Sequence, residues 1–250
     1  MINDPTFYVV SIFAILIMGI SKSGFGSGLG VLAVPIMSLV IPPAQAAAIM
    51  LPLLCVMDLF NVIHYRDKFD RTNLFILVPA AVVGIILGTF TFRYLSDAHI
   101  RILVGVLSVF FVMNYFIGLR KHAKKTSPNI LRGSFWGTVT GFTSFGVHAG
   151  GPPVSVYLLP QRLDKTIFVG TTVVFFTIVN YIKLIPYYFL GQLNGNNLLV
   201  SLILAPLAPL GVWIGIKLHD RVNEKLFYNL AYFFLLITGI KLLYDGITTL

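Results

Sequence analysis

The sequence predicts an all-α, polytopic membrane protein. It is read as two inverted repeats, each a glycine-rich broken or re-entrant helix pair plus three transmembrane helices, eight to ten membrane segments in all. Three observations carry this reading. First, the 250 residues are 57% hydrophobic and 11% charged, with a mean hydropathy of +0.88, whereas a soluble domain carries about 25% charged residues. Second, charge-free apolar runs of about 18 to 25 residues recur, and about 20 such residues span a bilayer core. Third, two glycine-rich stretches interrupt apolar sequence that otherwise reads as membrane helix: Gly19 to Gly30 (GISKSGFGSGLG) and Gly141 to Pro153 (GFTSFGVHAGGPP). A β-barrel would instead show strands of about ten residues with alternating polarity.

Ten apolar segments follow in order: 7–21, 28–41, 44–63, 74–92 and 102–119, then 133–147, 149–160, 166–190, 197–216 and 226–243. Between the two groups lies the most basic loop, Arg120 to Arg132, with Pro128 and Asn129 as breakers. The halves, 1–125 and 126–250, form a single transport unit. The segments around the glycine stretches are about 12 to 15 residues long, or about 18 to 22 Å of helix against a core of about 30 Å. They reach past the midplane without comfortably crossing it.

The repeat is visible at an offset of 122, which places Gly19 on Gly141, Gly24 on Gly146, Gly28 on Gly150, Asp58 on Asn180 and Asn61 on Lys183. After five extra residues near Gly191 to Asn197 the offset is 127, and Pro79, Gly84 and Gly88 fall on Pro206, Gly211 and Gly215. Charge decides the topology. If each glycine stretch returns to its own side, each half crosses an odd number of times. One side then holds Arg66, Lys68, Arg71, Arg120, Lys121, Lys124, Lys125, Arg132, Arg162, Lys165, Lys217, Arg221 and Lys225, the other only Arg93 and Arg101. Such asymmetry is what the positive-inside rule produces, so the repeats are expected to be inverted with both termini outside.

The net charge of +9 has the same topological origin, and nucleic acid is not an expected partner. Cys55 is the only cysteine, so no intramolecular disulfide exists. Met1 to Thr6 lacks a basic region, and no cleavable signal is expected. One His, one Cys and one Asp in scattered segments make no metal-ligand spacing, and no cofactor is implied.

Four ionisable residues sit within membrane segments: Lys22, Asp58, His148 and Lys183. Each is costly there, by about 2.5–3.5 kcal/mol on insertion scales. Lys241 and Asp245 lie near an outer end, where they can snorkel. Glycines let backbone turn and approach a ligand, and Pro152 and Pro153 suit the first turn of a new helix. Both stretches therefore place a helix N-terminus at depth, where N–H groups and the dipole favour an anion. The predicted substrate-binding residues are Lys22, Ser23, Gly24, Gly26, Ser27 and Gly28 from the first stretch. From the second half they are Ser144, Gly146, His148, Gly150, Gly151, Asn180 and Lys183, with Asp58 and Asn61 supporting. Thr143 adds a hydroxyl. Two pairings remain open for Asp58: an ion pair with Lys183, or the holding of an orienting lysine. For Lys22 the alternative is an interfacial lysine, for His148 a neutral ring donating to a carbonyl, and for the glycines close helix packing. Tyr181, Tyr187 and Tyr188 fit an interfacial belt.

The combination of GFGSGLG at Gly24 to Gly30 leading to Val34-Pro35, HAGGPP at His148 to Pro153 leading to YLLPQRLDK, Gly170-Thr171-Thr172, and NYIK at Asn180 to Lys183 resembles the TauE/SafE family. That family is also known for sulfite export and toluene-sulfonate uptake. The resemblance covers nearly the whole chain. It implies a bacterial inner-membrane transporter of small sulfur-containing anions such as sulfite, thiosulfate, sulfoacetate or other organosulfonates. Many members carry plainer glycine runs, and the departure to FGVHAGGPP leaves the substrate open. The functional expectation is a secondary transporter, an exporter rather than an enzyme, working by alternating access with a proton as the candidate coupling ion. The competing readings are an intramembrane serine hydrolase using Ser27 and His148, and a passive anion channel. The sequence does not define an oligomeric state.

Overall fold

The computed structural model describes residues 4–26, 30–91, 94, 96–116, 125–221 and 224–250. Among these, every regular element is helical. In order they are α1 (Pro5–Phe25), a 3₁₀ turn (Gly30–Leu32) running into α2 (Ala33–Met37), α3 (Pro43–Tyr65), α4 (Arg71–Thr91), α5 (Asp97–Phe116), α6 (Ile130–Val147), α7 (Gly151–Leu158) with a 3₁₀ turn (Leu159–Gln161), α8 (Lys165–Phe189), α9 (Gly195–Leu204), α10 (Leu207–Arg221) and α11 (Glu224–Thr248). Among the described residues, helices α1, α3, α4 and α8 are each long and apolar enough to cross a membrane, and the α9–α10 pair, bent by 46°, is long and apolar enough to be a fifth, broken span or a re-entrant loop. The protein is an all-α, multi-pass membrane protein. Large apolar side chains such as Ile63, Phe75, Phe90 and Leu202 stand exposed on its flanks, as a lipid-facing surface requires.

Helix starts follow capping chemistry. Asp4, Asn129, Asp164 and Asn194 each accept a backbone N–H from the first turn of α1, α6, α8 and α9, satisfying donors that a helix cannot pair internally. The bend between α9 and α10 falls at Ala205–Pro206, where proline removes a ladder donor. Its repeat mate Pro79 lies inside an unbroken α4.

Two helix lengths differ from expectation. The segment read as 7–21 continues to Phe25, and 133–147 begins at Ile130, so α1 and α6 have 21 and 18 residues. The arms after the breaks are much shorter: α2 has five residues and α7 has eight. The helices run on because Gly19 and Gly24 are packing residues, not breakers. A Cβ on Gly19 would lie 2.9 Å from the Gly211 backbone, and one on Gly24 2.7 Å from the Gly215 carbonyl oxygen. Thus α1 and α10 touch backbone to backbone. The seam between α4 and α6 has the same construction. Gly141 faces the Ala81 carbonyl there, and Gly84 faces Thr138 and Phe142.

The core has two parts, and neither belongs to one half of the sequence. One packs α1, α2 and α3 with α9 and α10, through Ile15, Met18, Met50, Val200 and Val212. The other packs α4 with α6, α7 and α8, through Leu77, Ile85, Tyr157, Phe175 and Phe176. Helix α3 lies against α8 between them. Each half of the chain therefore lends helices to the other: α4 from the first half, α9 and α10 from the second.

Candidate anion-binding site

The two breaks converge where α3 meets α8. Helix α1 ends on Gly26 at φ 68° and α6 ends on His148 at φ 55°, both left-handed. These positions are repeat mates, since 26 + 122 = 148. Glycine takes such a conformation freely, whereas a histidine does so only where its surroundings hold it. His148 is held firmly. Its Nδ1 lies 2.8 Å from Lys183 Nζ and its Nε2 lies 2.9 Å from the Ala47 carbonyl oxygen. A carbonyl only accepts, so Nε2 carries the proton; Nδ1 then accepts from the lysine, and the ring is neutral.

Lys183 is fully buried and donates to three acceptors: the Ser144 carbonyl and hydroxyl oxygens, each at 3.0 Å, and His148 Nδ1. An ammonium has three N–H bonds, so its donors are all used, yet none meets a carboxylate. Asp58 is instead committed to the first half. Lys22 Nζ lies 2.6 Å from Asp58 Oδ1, while Asn180 Nδ2 donates to Asp58 Oδ2 at 2.8 Å. The Thr177 hydroxyl, 3.1 Å from Asp58 Oδ1, divides its one proton between that oxygen and the Val173 carbonyl. Of the two pairings left open by the sequence, Asp58 therefore takes the lysine-holding role, with Lys22 rather than Lys183. On formal charges, with Lys22 and Lys183 at +1 each, Asp58 at −1 and His148 at zero, the count for the buried centre is +1 among the described residues.

The ends of both long helices are buried, so their carbonyls need donors. Tyr65 donates to the Ser23 carbonyl at 2.7 Å, and Tyr187 to the Phe145 carbonyl at 2.5 Å. Tyr65 and Tyr187 are 122 residues apart, as are Ser23 and Phe145. His219 Nδ1 donates to the Gly24 carbonyl at 2.7 Å. Cations in the last turn of α1 and beside the end of α6 complement the negative end of each helix dipole. The helix starts bring the opposite pole. Gly151 opens α7 with Pro152 and Pro153 in its first turn, where missing N–H groups cost nothing.

A cavity of about 20 Å³ sits at this junction, room for about one water molecule. Its polar wall is Lys22, Ser144, His148 and Asn180, closed by Gly30 and Gly151, with Met18, Leu54 and Phe176 on the apolar side. Of the sequence-predicted residues, Lys22, Ser144, His148, Gly151 and Asn180 line it. Lys183 stands behind Ser144 and His148, and Asp58 behind Lys22. Gly150 caps α7 and packs on the Phe176 ring. Ser23 does not border the cavity, since its hydroxyl bonds the Gly19 carbonyl, and Gly24 is spent on the α10 seam. Gly146 lies within α6, away from the cavity wall, and Thr143 bonds carbonyls of its own helix. Asn61 is fully buried, and neither atom of its amide has a hydrogen-bond partner among the described residues. Ser27 and Gly28 lie outside the described residues.

Tyr187 departs from its predicted place in an interfacial belt: it is 1% exposed and stacks on His148. Tyr181 and Tyr188 are exposed, as a belt requires. Sequence reasoning also passed over Tyr65, Thr177 and His219. For the tyrosines a signal existed, because the 122-residue offset pairs them; for His219 none did.

Helices and centre together define a multi-pass membrane protein with a buried polar centre at two interrupted helices. Residues 11–242 match the model of the sulfite exporter TauE/SafE family, and the chain belongs to that family, whose members are membrane transporters of the sulfite-exporter type. No individual curated protein and no solved structure matches it.

Proposed function

We propose that the protein is a secondary transporter exporting a small sulfur-containing anion, such as sulfite, thiosulfate, sulfoacetate or another organosulfonate, by alternating access. The observation that carries this is the surplus buried cation. Lys183 has hydrogen bonds but no carboxylate, beside a cavity whose wall includes Lys22, Asn180 and the start of α7. A buried unpaired charge is stable only if something compensates it, and an anionic substrate does so. The substrate-binding group is Lys22, Ser144, His148, Gly151 and Asn180, backed by Lys183, with Asp58 holding Lys22. With the cytoplasm negative, each negative charge leaving gains about 2.3 kcal/mol per 100 mV, so export needs no coupled ion and can run as a uniport, whereas uptake would require coupled protons or another ion.

The two repeats, 1–125 and 126–250, are placed as inverted copies in a bacterial inner membrane with both termini outside. Loop charge supports the orientation. The repeat is supported by the tyrosine pair, by the two left-handed caps and by the Asn180–Asp58 hydrogen bond. Asn180 and Asp58 are repeat mates, and mates touch only near the axis that relates two copies.

Hydrolysis by Ser27 and His148 fits less well, because both ring nitrogens of His148 are engaged and neither is free to accept a serine proton. Transport is tested by thermal shift and counterflow. Purified protein is screened against sulfite, thiosulfate, sulfoacetate and isethionate, with carboxylates as controls. A cognate anion at a hundred times its Kd stabilises by about 2.7 kcal/mol, and Lys183→Gln or Lys22→Gln weakens it about tenfold or more. Equal response to carboxylates would overturn the sulfur-anion specificity, and normal binding by both variants would overturn the charge-compensation reading. Flux without counterflow would make the protein a channel.

A further inference from the structure

We propose that the groove between α3 and α10, which shares no lining residue with the central cavity, binds one anionic phospholipid. The groove encloses about 670 Å³ and is open on the flank of the bundle. Its walls change character along its length. At one end Arg66 and Lys68 line it, just past the C-terminus of α3; further in, the lining is Phe60, Ile63, Trp213 and Ile216. Phe60, Ile63 and Trp213 are exposed.

The two helices run the same way here: Tyr65 at the end of α3 meets His219 near the end of α10, and Phe60 and Ile63, earlier in α3, line the groove with Val212 and Trp213, earlier in α10. Arg66 and Lys68 are therefore level with the last turn of α10, and Lys217 stands just below, its ammonium 3.6 Å from the Trp213 ring centre. From Lys217 to Pro209, the deep end of the groove, is eight residues, or about 12 Å of helix at about 1.5 Å per residue. A polar, cationic mouth at the end of membrane-crossing helices followed by about 12 Å of apolar trough matches a phosphodiester headgroup with one acyl chain below it. Asp67 also lines the mouth and sits 3.2 Å from Arg66 Nε. Among the lining residues two cations face one carboxylate, a formal +1, with both members of that surface pair well exposed and weakly coupled, and Lys217 over Trp213 adds a further cation beside the lining. A zwitterionic lipid offers the same phosphate but offsets it with its own cation, so it gains less from this charge. A second copy of the chain would bring the same basic mouth against itself. Charge complementarity selects the anionic lipid.

The groove's back wall is tied to the first break, since Tyr65, next to the lining residue His64, donates to the Ser23 carbonyl. The proposal does not depend on which anion is transported.

The test is native mass spectrometry of the full chain mixed with phosphatidylglycerol or phosphatidylcholine of identical acyl chains. Phosphatidylglycerol adducts are expected to persist at collision energies that strip phosphatidylcholine, with about fivefold more one-lipid species. The double variant R66Q/K68Q should bring the two lipids to parity while its thermal unfolding in detergent stays unchanged, as expected for exposed side chains. W213A should reduce retention of both lipids. Inorganic phosphate at millimolar concentration should leave the adduct in place, because it lacks the chain. Equal retention of the two lipids by the parent protein, or an unaltered preference in R66Q/K68Q, overturns the proposal. So does displacement by phosphate alone, or a dimer that W213A dissolves while lipid adducts persist.

Discussion

Asp58→Asn is the sharpest probe of the buried centre. The carboxylate is fully buried and meets Lys22 at 2.6 Å, Asn180 at 2.8 Å and the Thr177 hydroxyl at 3.1 Å. The amide can keep one or both of the last two contacts, but it cannot compensate the lysine. Removing one partner of a buried pair costs about 3–5 kcal/mol because the other charge stays buried. At about 2–4 °C per kcal/mol for a chain of this size, the melting temperature should fall by about 10 °C. The loss belongs to the orphaned cation, so Lys22→Gln in the same chain should recover most of it, giving a coupling energy above about 2 kcal/mol in a double-mutant cycle. Charge predicts a second effect. Asp58→Asn raises the surplus from one positive charge to two, so a cognate sulfonate should stabilise the variant more than the parent. The assay is thermal unfolding in detergent for parent, D58N, K22Q and K22Q/D58N, each with and without sulfonate. A D58N protein as stable as the parent, or a double variant no better than D58N, would refute the pairing. A smaller ligand shift in D58N would refute the charge count.

Three further outcomes are expected. In a Cys55→Ala background, single cysteines placed in the 67–70 and 192–195 loops should react with an impermeant maleimide from opposite sides of the membrane; labelling from one side would end the inverted arrangement. Gly19→Ala puts a methyl 2.9 Å from the Gly211 backbone and should cost about 1–3 kcal/mol of thermal stability, whereas Gly195→Ala, with nothing within 4 Å, should stay within about 0.5 kcal/mol. Tyr65→Phe and Tyr187→Phe each orphan a buried carbonyl at a helix end and should cost about 1–3 kcal/mol apiece; loss at only one of them would argue against equivalent roles.

The sequence made the interruptions legible, because glycine and proline leave a local trace whatever surrounds them. It did not reveal where each helix stops. Gly19 and Gly24 read as breakers by propensity, but a membrane helix tolerates glycine where another backbone presses on it, and that neighbour, α10, lies some 190 residues away in the chain. The second stop fell on His148, a residue with no intrinsic taste for a left-handed turn, held there by Lys183 and Ala47 from two other helices. The candidate ionisable groups could be found by their rarity in apolar sequence. Their pairing could not: helical spacing places Asp58 with Asn61 and Asn180 with Lys183, but the choice of Lys22 as Asp58's partner depends on how α1 docks against α3. Tyr187 was misread for the same reason. An aromatic near the end of an apolar run looks interfacial until the buried helix terminus it caps is known.

The smallness of the central cavity bears on how a substrate would enter it. With room for about one water molecule, it takes an anion the size of a sulfonate only if its walls part. Those walls come from α1, α3, α6, α7 and α8, so admission is a movement of helices against one another rather than the turning of one side chain.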